Sequence, residues 1–81
     1  MGYTMVKDLS IPHYPTRIDY QVQGKAHRVN GPAAEWDTGD WFWYYNGVAH
    51  RYYGPASSVR LIYTTKLIWE IHGTRIKQCV L

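Results

Sequence analysis

From Arg17 onward, apolar and polar residues alternate in short runs that turn residues interrupt every few positions. Alternation with a period of two is typical of strands with one covered face, and no stretch has helical periodicity. The strongest turn signal is Asn46-Gly47, because both residues tolerate the positive φ that a two-residue hairpin requires. Gln23-Gly24 and His72-Gly73 stand in equivalent places. The pattern predicts an all-β fold, a single antiparallel meander of about eight strands built from repeated β-hairpins, with strong curvature left open.

Two segments of the chain repeat one another, at positions 24–33 and 47–56. They lie 23 residues apart and share Gly, Ala, His, Arg, Gly, Pro and Ala in the same order. A repeat this short cannot bury its own apolar face, so the copies are expected to stack into one sheet.

The N-terminal part differs from the rest of the chain. Residues 1–16 are predicted to form an irregular strap, because Pro12 and Pro15 bracket a segment better suited to lie over a sheet than within one. The hairpin repeats then form one domain over residues 17–81.

Pairing across the Asn46-Gly47 turn predicts which side chains share a face, since strand side chains alternate. Trp43 is expected opposite His50, and the other face of the sheet to carry Asp19 opposite Arg28 and Glu70 opposite Arg75, with Ile68 opposite Lys77. The predicted core face comprises Ile18, Tyr20, Val22, His27, Val29, Trp41, Trp43, Tyr45, Val48, His50, Tyr52, Leu67, Trp69, Ile71 and Ile76.

The middle hairpin breaks the charged pattern of the outer face. Phe42 is predicted opposite Arg51 on this face, whereas Trp41 is predicted opposite Tyr52 on the core face. The outer face would then hold three aromatic side chains around one guanidinium. Either a second layer covers this patch or it binds a partner, since aromatic residues and Arg dominate binding energy at protein interfaces. The candidate partner-binding residues are Phe42, Tyr44, Arg51 and Tyr53.

Length, charge and cysteine content limit the classes of protein to which this chain can belong. The 81 residues suffice for one small domain, and they include four Trp, eight Tyr and one Phe. The formal charge of +3 is well below that of a dedicated nucleic-acid binder. The single cysteine, Cys79, and the lack of a leader pattern favour a cytoplasmic protein, and the apolar runs are too short to cross a membrane.

No residue pattern indicates a reaction. His27 and His50 are predicted about 14 Å apart, three strand spacings, so a shared metal is not expected. Each imidazole is expected to pack on an aromatic ring, Tyr20 and Trp43 respectively, and to bond a carbonyl or turn amide. We therefore expect no catalytic residues, no cofactor and no metal, and the protein is not expected to be an enzyme.

The segment from Trp43 to Ala56 resembles a repeat written W-Y-x-N-G-x-x-H-R-x-x-G-P-A, found in bacteriophage and giant-virus proteins and similar to MORN repeats. The copy at 20–33 has Tyr20 for Trp and Gln23 for Asn. The copy from Trp69 keeps Trp and Gly, with Ile76 and Lys77 where His-Arg would fall. The resemblance implies hairpin arrays that serve as protein-binding platforms, without shared chemistry.

These features lead to one functional expectation and two alternatives. A small viral protein of this kind is expected to bind and inhibit a host defence or metabolic protein in the host cytoplasm by covering its surface. The first alternative is a small RNA-binding module that stacks bases on aromatic side chains, with Arg51, Arg60, Lys66 and Lys77 near the backbone. The second is a structural protein that self-associates through edge strands.

Overall fold

The computed structural model describes residues 4–8 and 16–81. These residues form ten strands and no helix, and hence no helix that could cross a membrane. The predicted all-β fold is confirmed. The strands are β1 Thr4–Asp8, β2 Arg17–Val22, β3 Lys25–Ala26, β4 Ala34–Trp36, β5 Trp41–Phe42, β6 Tyr44–Tyr45, β7 Val48–Ala49, β8 Ser57–Arg60, β9 Thr65–Ile71 and β10 Thr74–Val80.

Most strands belong to one antiparallel sheet in the order β1-β2-β4-β5-β8-β9-β10, with β3 paired to β2. Strands β6 and β7 form a separate two-stranded ribbon, so the prediction of a single sheet needs this correction. The predicted irregular strap over 1–16 is also wrong in part, because β1 pairs with β2 along Thr4–Asp8 and forms a sheet edge. The prolines at 12 and 15 lie outside the described residues.

The three predicted turns are present at the predicted positions. Gln23, Asn46 and His72 have φ of 52°, 50° and 50°, and each is followed by a glycine with φ between 77° and 82°. Two successive positive φ values match the twist of a two-residue hairpin. Local turn chemistry therefore fixes β2–β3, β6–β7 and β9–β10.

The middle hairpin is shorter than the alternating pattern predicts. Tyr44 pairs with Ala49 and Tyr45 with Val48, and the backbone N–H of His50 still donates to the Trp43 carbonyl at 3.1 Å. The strands then separate. Trp41 and Phe42 pair with Ser58 and Ser57 of β8, and not with Tyr52 and Arg51. The predicted pairing is wrong here because the Arg51 N–H donates instead to the carbonyl of Glu70.

The register across the sheet defines two faces. Asp19, Ala34, Phe42, Ser57 and Ile68 are successive partners across β2, β4, β5, β8 and β9, so their side chains share one face, here called the groove face. Residues one position away lie on the opposite face, here called the ring face. Its aromatic residues are Tyr20, Trp41, Trp43 and Trp69.

One set of contacts recurs in the two copies of the repeat. The guanidinium of Arg28 lies 4.0 Å from the ring centroid of Tyr20, and its Nη1 donates to the Pro32 carbonyl at 3.2 Å. A Cβ added to Gly31 would lie 2.9 Å from Arg28 Cζ. The glycine of the repeat therefore leaves room for the guanidinium.

The second copy has the same geometry. Arg51 lies 4.0 Å from the ring of Trp43 and donates to the Pro55 carbonyl at 3.2 Å, and a Cβ on Gly54 would lie 3.0 Å from Arg51 Cζ. The alanine that ends each repeat makes an equivalent hydrogen bond in both copies. The Ala33 carbonyl accepts the backbone N–H of Tyr20, and the Ala56 carbonyl accepts that of Trp43. The Arg, Gly, Pro and Ala of the repeat thus act together as one local unit.

The histidine of each copy attaches the next hairpin. The backbone N–H of Asn46 donates to His27 Nδ1 at 2.9 Å, and that of His72 donates to His50 Nδ1 at 2.8 Å. The expected turn-amide bonds are therefore present. The ring partners differ from the expectation, because His27 contacts Tyr45 at 4.5 Å and His50 stacks on His72 at 4.3 Å between ring centroids.

The buried core differs from the predicted one. The buried residues among those described are small or polar: Gly31, Ala33, Ala34, Ala56, Asp19, Ser57 and Ser58. Five predicted core residues are exposed, namely Val29, Tyr45, Val48, Tyr52 and Ile76. Alternation identifies faces but not which segment covers them, and here the segments with Gly-Pro-Ala fill the interior.

Two predicted cross-strand contacts are also corrected. Asp19 pairs with Arg17 at 2.9 Å, and Arg28 pairs with Glu35 at 3.2 Å. In the last hairpin Arg75 does face Glu70, but a register shift between positions 75 and 77 places Lys77 opposite Trp69 and Gln78 opposite Ile68. As a result, Lys77 Nζ lies 4.7 Å from the centroid of the Trp69 ring. Arg28 and Arg51 lie over the rings of Tyr20 and Trp43 in the same way.

Candidate interaction site at the repeat junction

A largely apolar concave site lies where the segments after His27 and His50 meet. We call it the junction pocket, and its volume is about 480 Å³. This size falls in the range of small-molecule and side-chain binding pockets. Its walls comprise Arg28, Val29, Asn30, Trp43, His50, Arg51, Tyr52 and Tyr53.

Arg51 contributes a positive charge to the pocket wall. Its guanidinium is held over Trp43 and also lies 5.9 Å from the ring of Trp41. No described carboxylate lies within ion-pair distance of it, whereas Arg28 across the pocket pairs with Glu35. A guanidinium has five N–H donors, and the Pro55 carbonyl uses one of those on Arg51. Arg51 can therefore bind an anionic or carbonyl group of a ligand.

Hydrogen bonds hold the side of the pocket that His50 and Tyr52 form. Because His50 Nδ1 accepts a backbone N–H, a neutral His50 carries its proton on Nε2. His72 Nε2 lies 3.1 Å from the hydroxyl of Tyr52, whose ring packs edge-on against His50 at 4.5 Å. Desolvation and the neighbouring His72 lower the pKa of His50. The rings on this side of the pocket therefore form a hydrogen-bonded cluster, in which the lowered pKa favours the uncharged form of His50.

Two tyrosines project from the rim of the pocket. Tyr52 is 62% exposed and Tyr53 is 93% exposed, and their ring centroids are 6.4 Å apart. An aromatic side chain with almost all of its surface in water contributes little to folding. Large exposed aromatic groups beside an Arg are instead common among residues that bind partners.

The structure divides the four predicted partner-binding residues between two surfaces. Arg51 and Tyr53 line the junction pocket, whereas Phe42 and Tyr44 line a shallow groove on the groove face. Phe42 and Tyr44 stack on each other with centroids 6.4 Å apart. The prediction of one continuous patch is therefore wrong, because Arg51 lies over Trp41 and Trp43 on the ring face.

Sequence reasoning missed four residues of the pocket that matter to its shape: Arg28, Trp43, His50 and Tyr52. A usable signal was present, because Arg28 and Arg51 occupy equivalent positions in the repeat. Equivalent residues of stacked repeats are expected to lie side by side on one face.

The described residues include no group of three or more His, Cys, Asp or Glu side chains placed to hold a metal ion. Cys79 is a free, partly buried thiol, and Leu67 is its partner on β9. The described residues that line the pocket include two guanidinium groups and no carboxylate, which suits recognition of an anionic group.

Comparisons with known proteins found no matching family model, no matching curated protein and no matching solved structure.

Proposed function

We propose that this protein is a non-enzymatic binding protein that attaches to a partner protein through the junction pocket and its tyrosine rim, and inhibits the partner by covering its surface. The observation that carries the proposal is the 93% exposure of Tyr53 beside a pocket that contains Arg51. Steric inhibition requires an interface of roughly 1,200–2,000 Å² in total and no chemistry.

The resemblance of the repeat to hairpin repeats of bacteriophage and giant-virus proteins supports a host protein as the partner. Under this proposal the site of action is the cytoplasm of the host cell. The net charge of +3 favours a partner with an acidic surface, since complementary charge speeds association and selects partners.

The direct test is capture of partners from host lysate, followed by mass spectrometry, with wild type and a matched pair of tyrosine variants. Tyr53→Ala removes a side chain at the pocket rim, and Tyr63→Ala removes one that is 95% exposed at a distant turn. Neither change is expected to alter stability measurably, because neither side chain is buried.

The proposal predicts a partner that wild type and the Tyr63 variant retain and the Tyr53 variant loses. Equal retention by all three proteins would reject the tyrosine rim as the contact surface. Tyr44→Ala tests the groove face in the same assay, and a loss confined to that variant would move the interface to the groove face.

A nucleic-acid-binding module is the second candidate, and the adjacency of Tyr52, Tyr53 and Arg51 favours it. Aromatic rings beside cations can stack unpaired bases and contact the phosphate backbone. This candidate predicts binding to mixed single-stranded oligonucleotides that weakens steeply with salt. Undetectable binding at low salt would eliminate it.

A further inference from the structure

Three cations lie in a row on the ring face, each over an aromatic ring. Arg28 lies over Tyr20, Arg51 over Trp43, and Lys77 over Trp69, at 4.0, 4.0 and 4.7 Å from the ring centroids. The cations thus follow the spacing of the rings beneath them.

That spacing follows from the strand order. Tyr20 is on β2, Trp43 directly follows β5, and Trp69 is on β9, with β4 and β8 between them. Strands in a sheet are about 4.8 Å apart, so rings separated by two strand spacings lie about 9.5 Å apart. The row therefore presents positive charge at a regular interval across the sheet.

The cations are not equally neutralised. Arg28 pairs with Glu35, while Arg51 and Lys77 have no ion-pair partner among the described carboxylates. Arg28 and Arg51 both line the junction pocket, and half of its lining residues carry an aromatic ring. A ligand for this row thus needs anionic groups at a fixed interval and a compact apolar group between them.

A polyproline-II segment has this spacing. Its three residues per turn and rise of about 3.1 Å per residue repeat every 9.3 Å or so, which brings every third side chain to the same face. Such segments bind in aromatic-lined grooves at low entropic cost. A β-strand matches less well, because residues three apart in a strand point to opposite faces.

We propose that the ring face binds an acidic polyproline-II segment of a protein partner, with carboxylates at every third residue on the cation row and an apolar residue in the junction pocket. This inference rests on the proposed function and specifies the chemistry of its partner. Carboxylates accept paired hydrogen bonds from a guanidinium. A second copy of this chain is disfavoured, because two cation rows would face each other.

The test measures binding of the full chain to two synthetic peptides of equal composition. One peptide carries Glu at every third position among prolines, and the control carries its Glu residues together at one end. We expect the spaced peptide to bind at least about threefold more tightly than the control, because more than one cation contributes. Equal affinities would overturn the proposal.

One lysine variant and one arginine variant distinguish binding to the cation row from general charge attraction. Lys77→Gln removes a cation from the ring face, whereas Arg75→Gln removes one opposite Glu70, away from Trp69. The Lys77 change is expected to weaken the spaced peptide about two- to fivefold and the Arg75 change to have less effect. Equal losses would overturn the proposal. Arg51→Gln, with thermal unfolding as a check of folding, is expected to have the largest effect.

Other occupants would give different results in the same assay. Binding of an oligouridylate that depends on Lys77, without peptide binding, would overturn the proposal in favour of nucleic acid. Concentration-dependent self-association that depends on Lys77, without peptide binding, would overturn it in favour of a second copy. If wild type binds neither peptide but still captures a partner in a Tyr53-dependent way, the proposal of an acidic segment is overturned and the proposed function stands.

Discussion

The imidazole of His50 joins two hairpins, because its Nδ1 atom accepts the backbone N–H of His72 at 2.8 Å. The N–H belongs to the first residue of the β9–β10 turn, and the adjacent Gly73 N–H donates to the Ala49 carbonyl at 2.8 Å. The last hairpin is thus attached to the middle one by a pair of hydrogen bonds. One of the two acceptors is a titratable atom.

This arrangement predicts that acid weakens the fold. Desolvation, and to a smaller extent the neighbouring His72, lower the pKa of His50 below the ordinary 6.5. The unfolded state therefore binds more protons than the folded state as pH falls below about 6.5, so the free energy of unfolding decreases until the lowered pKa is passed. Urea unfolding between neutral and mildly acidic pH is the measurement.

A His50→Asn variant provides the control for this prediction. The Asn side-chain oxygen can accept the same N–H but does not titrate, and the other histidines remain in both proteins. We expect the variant to lose part of the pH dependence in the mildly acidic range. An unchanged slope in His50→Asn would show that other groups cause the acid sensitivity.

The buried alanine of the second repeat predicts a strong effect of side-chain size. Ala56 is 1% exposed, its carbonyl accepts the Trp43 N–H at 2.6 Å, and its N–H donates to the Ile68 carbonyl at 2.7 Å. Ala56→Leu is expected to lower the free energy of unfolding by about 1–3 kcal/mol, because overpacking forces its neighbours apart. Ala49→Leu, at a half-buried position of the hairpin, should have a smaller effect in the same urea titration. Equal effects would contradict the packing account.

Gly31 and Gly54 are expected to behave differently in double-mutant cycles with the arginine that each one contacts. The three atoms nearest to a Cβ on Gly31 all belong to the Arg28 guanidinium, whereas Gly54 also has a φ of 139°. Gly31→Ala should therefore be destabilising in wild type but neutral, or stabilising by about 0.4–1 kcal/mol, in an Arg28→Ala background. Gly54→Ala should stay destabilising in an Arg51→Ala background. Chemical denaturation of the seven proteins checks both cycles, and additive behaviour at Gly31 would refute the steric account.

The parts of this fold that sequence reasoning predicted are those set by local chemistry. Asn46-Gly47 and its equivalents specify their hairpins because few residues accept two positive φ values in succession. The pairing beyond Trp43 and His50 could not be read from alternation, since Arg51 leaves the ladder to bond a carbonyl on β9. The candidate site was half predicted for the same reason: Arg51 and Tyr53 line the pocket, and Phe42 and Tyr44 lie elsewhere.

The turn between β8 and β9 predicts self-association. Leu61, Ile62 and Tyr63 are 50%, 90% and 95% exposed, an apolar surface that water does not favour. Ile62→Ser should leave the free energy of unfolding within about 0.5 kcal/mol of wild type, because the side chain is hardly buried. It should also reduce self-association, which light scattering detects as an increase of the apparent molecular mass with protein concentration. Ile76→Ser, which changes a 59% exposed residue of β10, is the control, and a greater reduction in that variant would place self-association at the sheet edge.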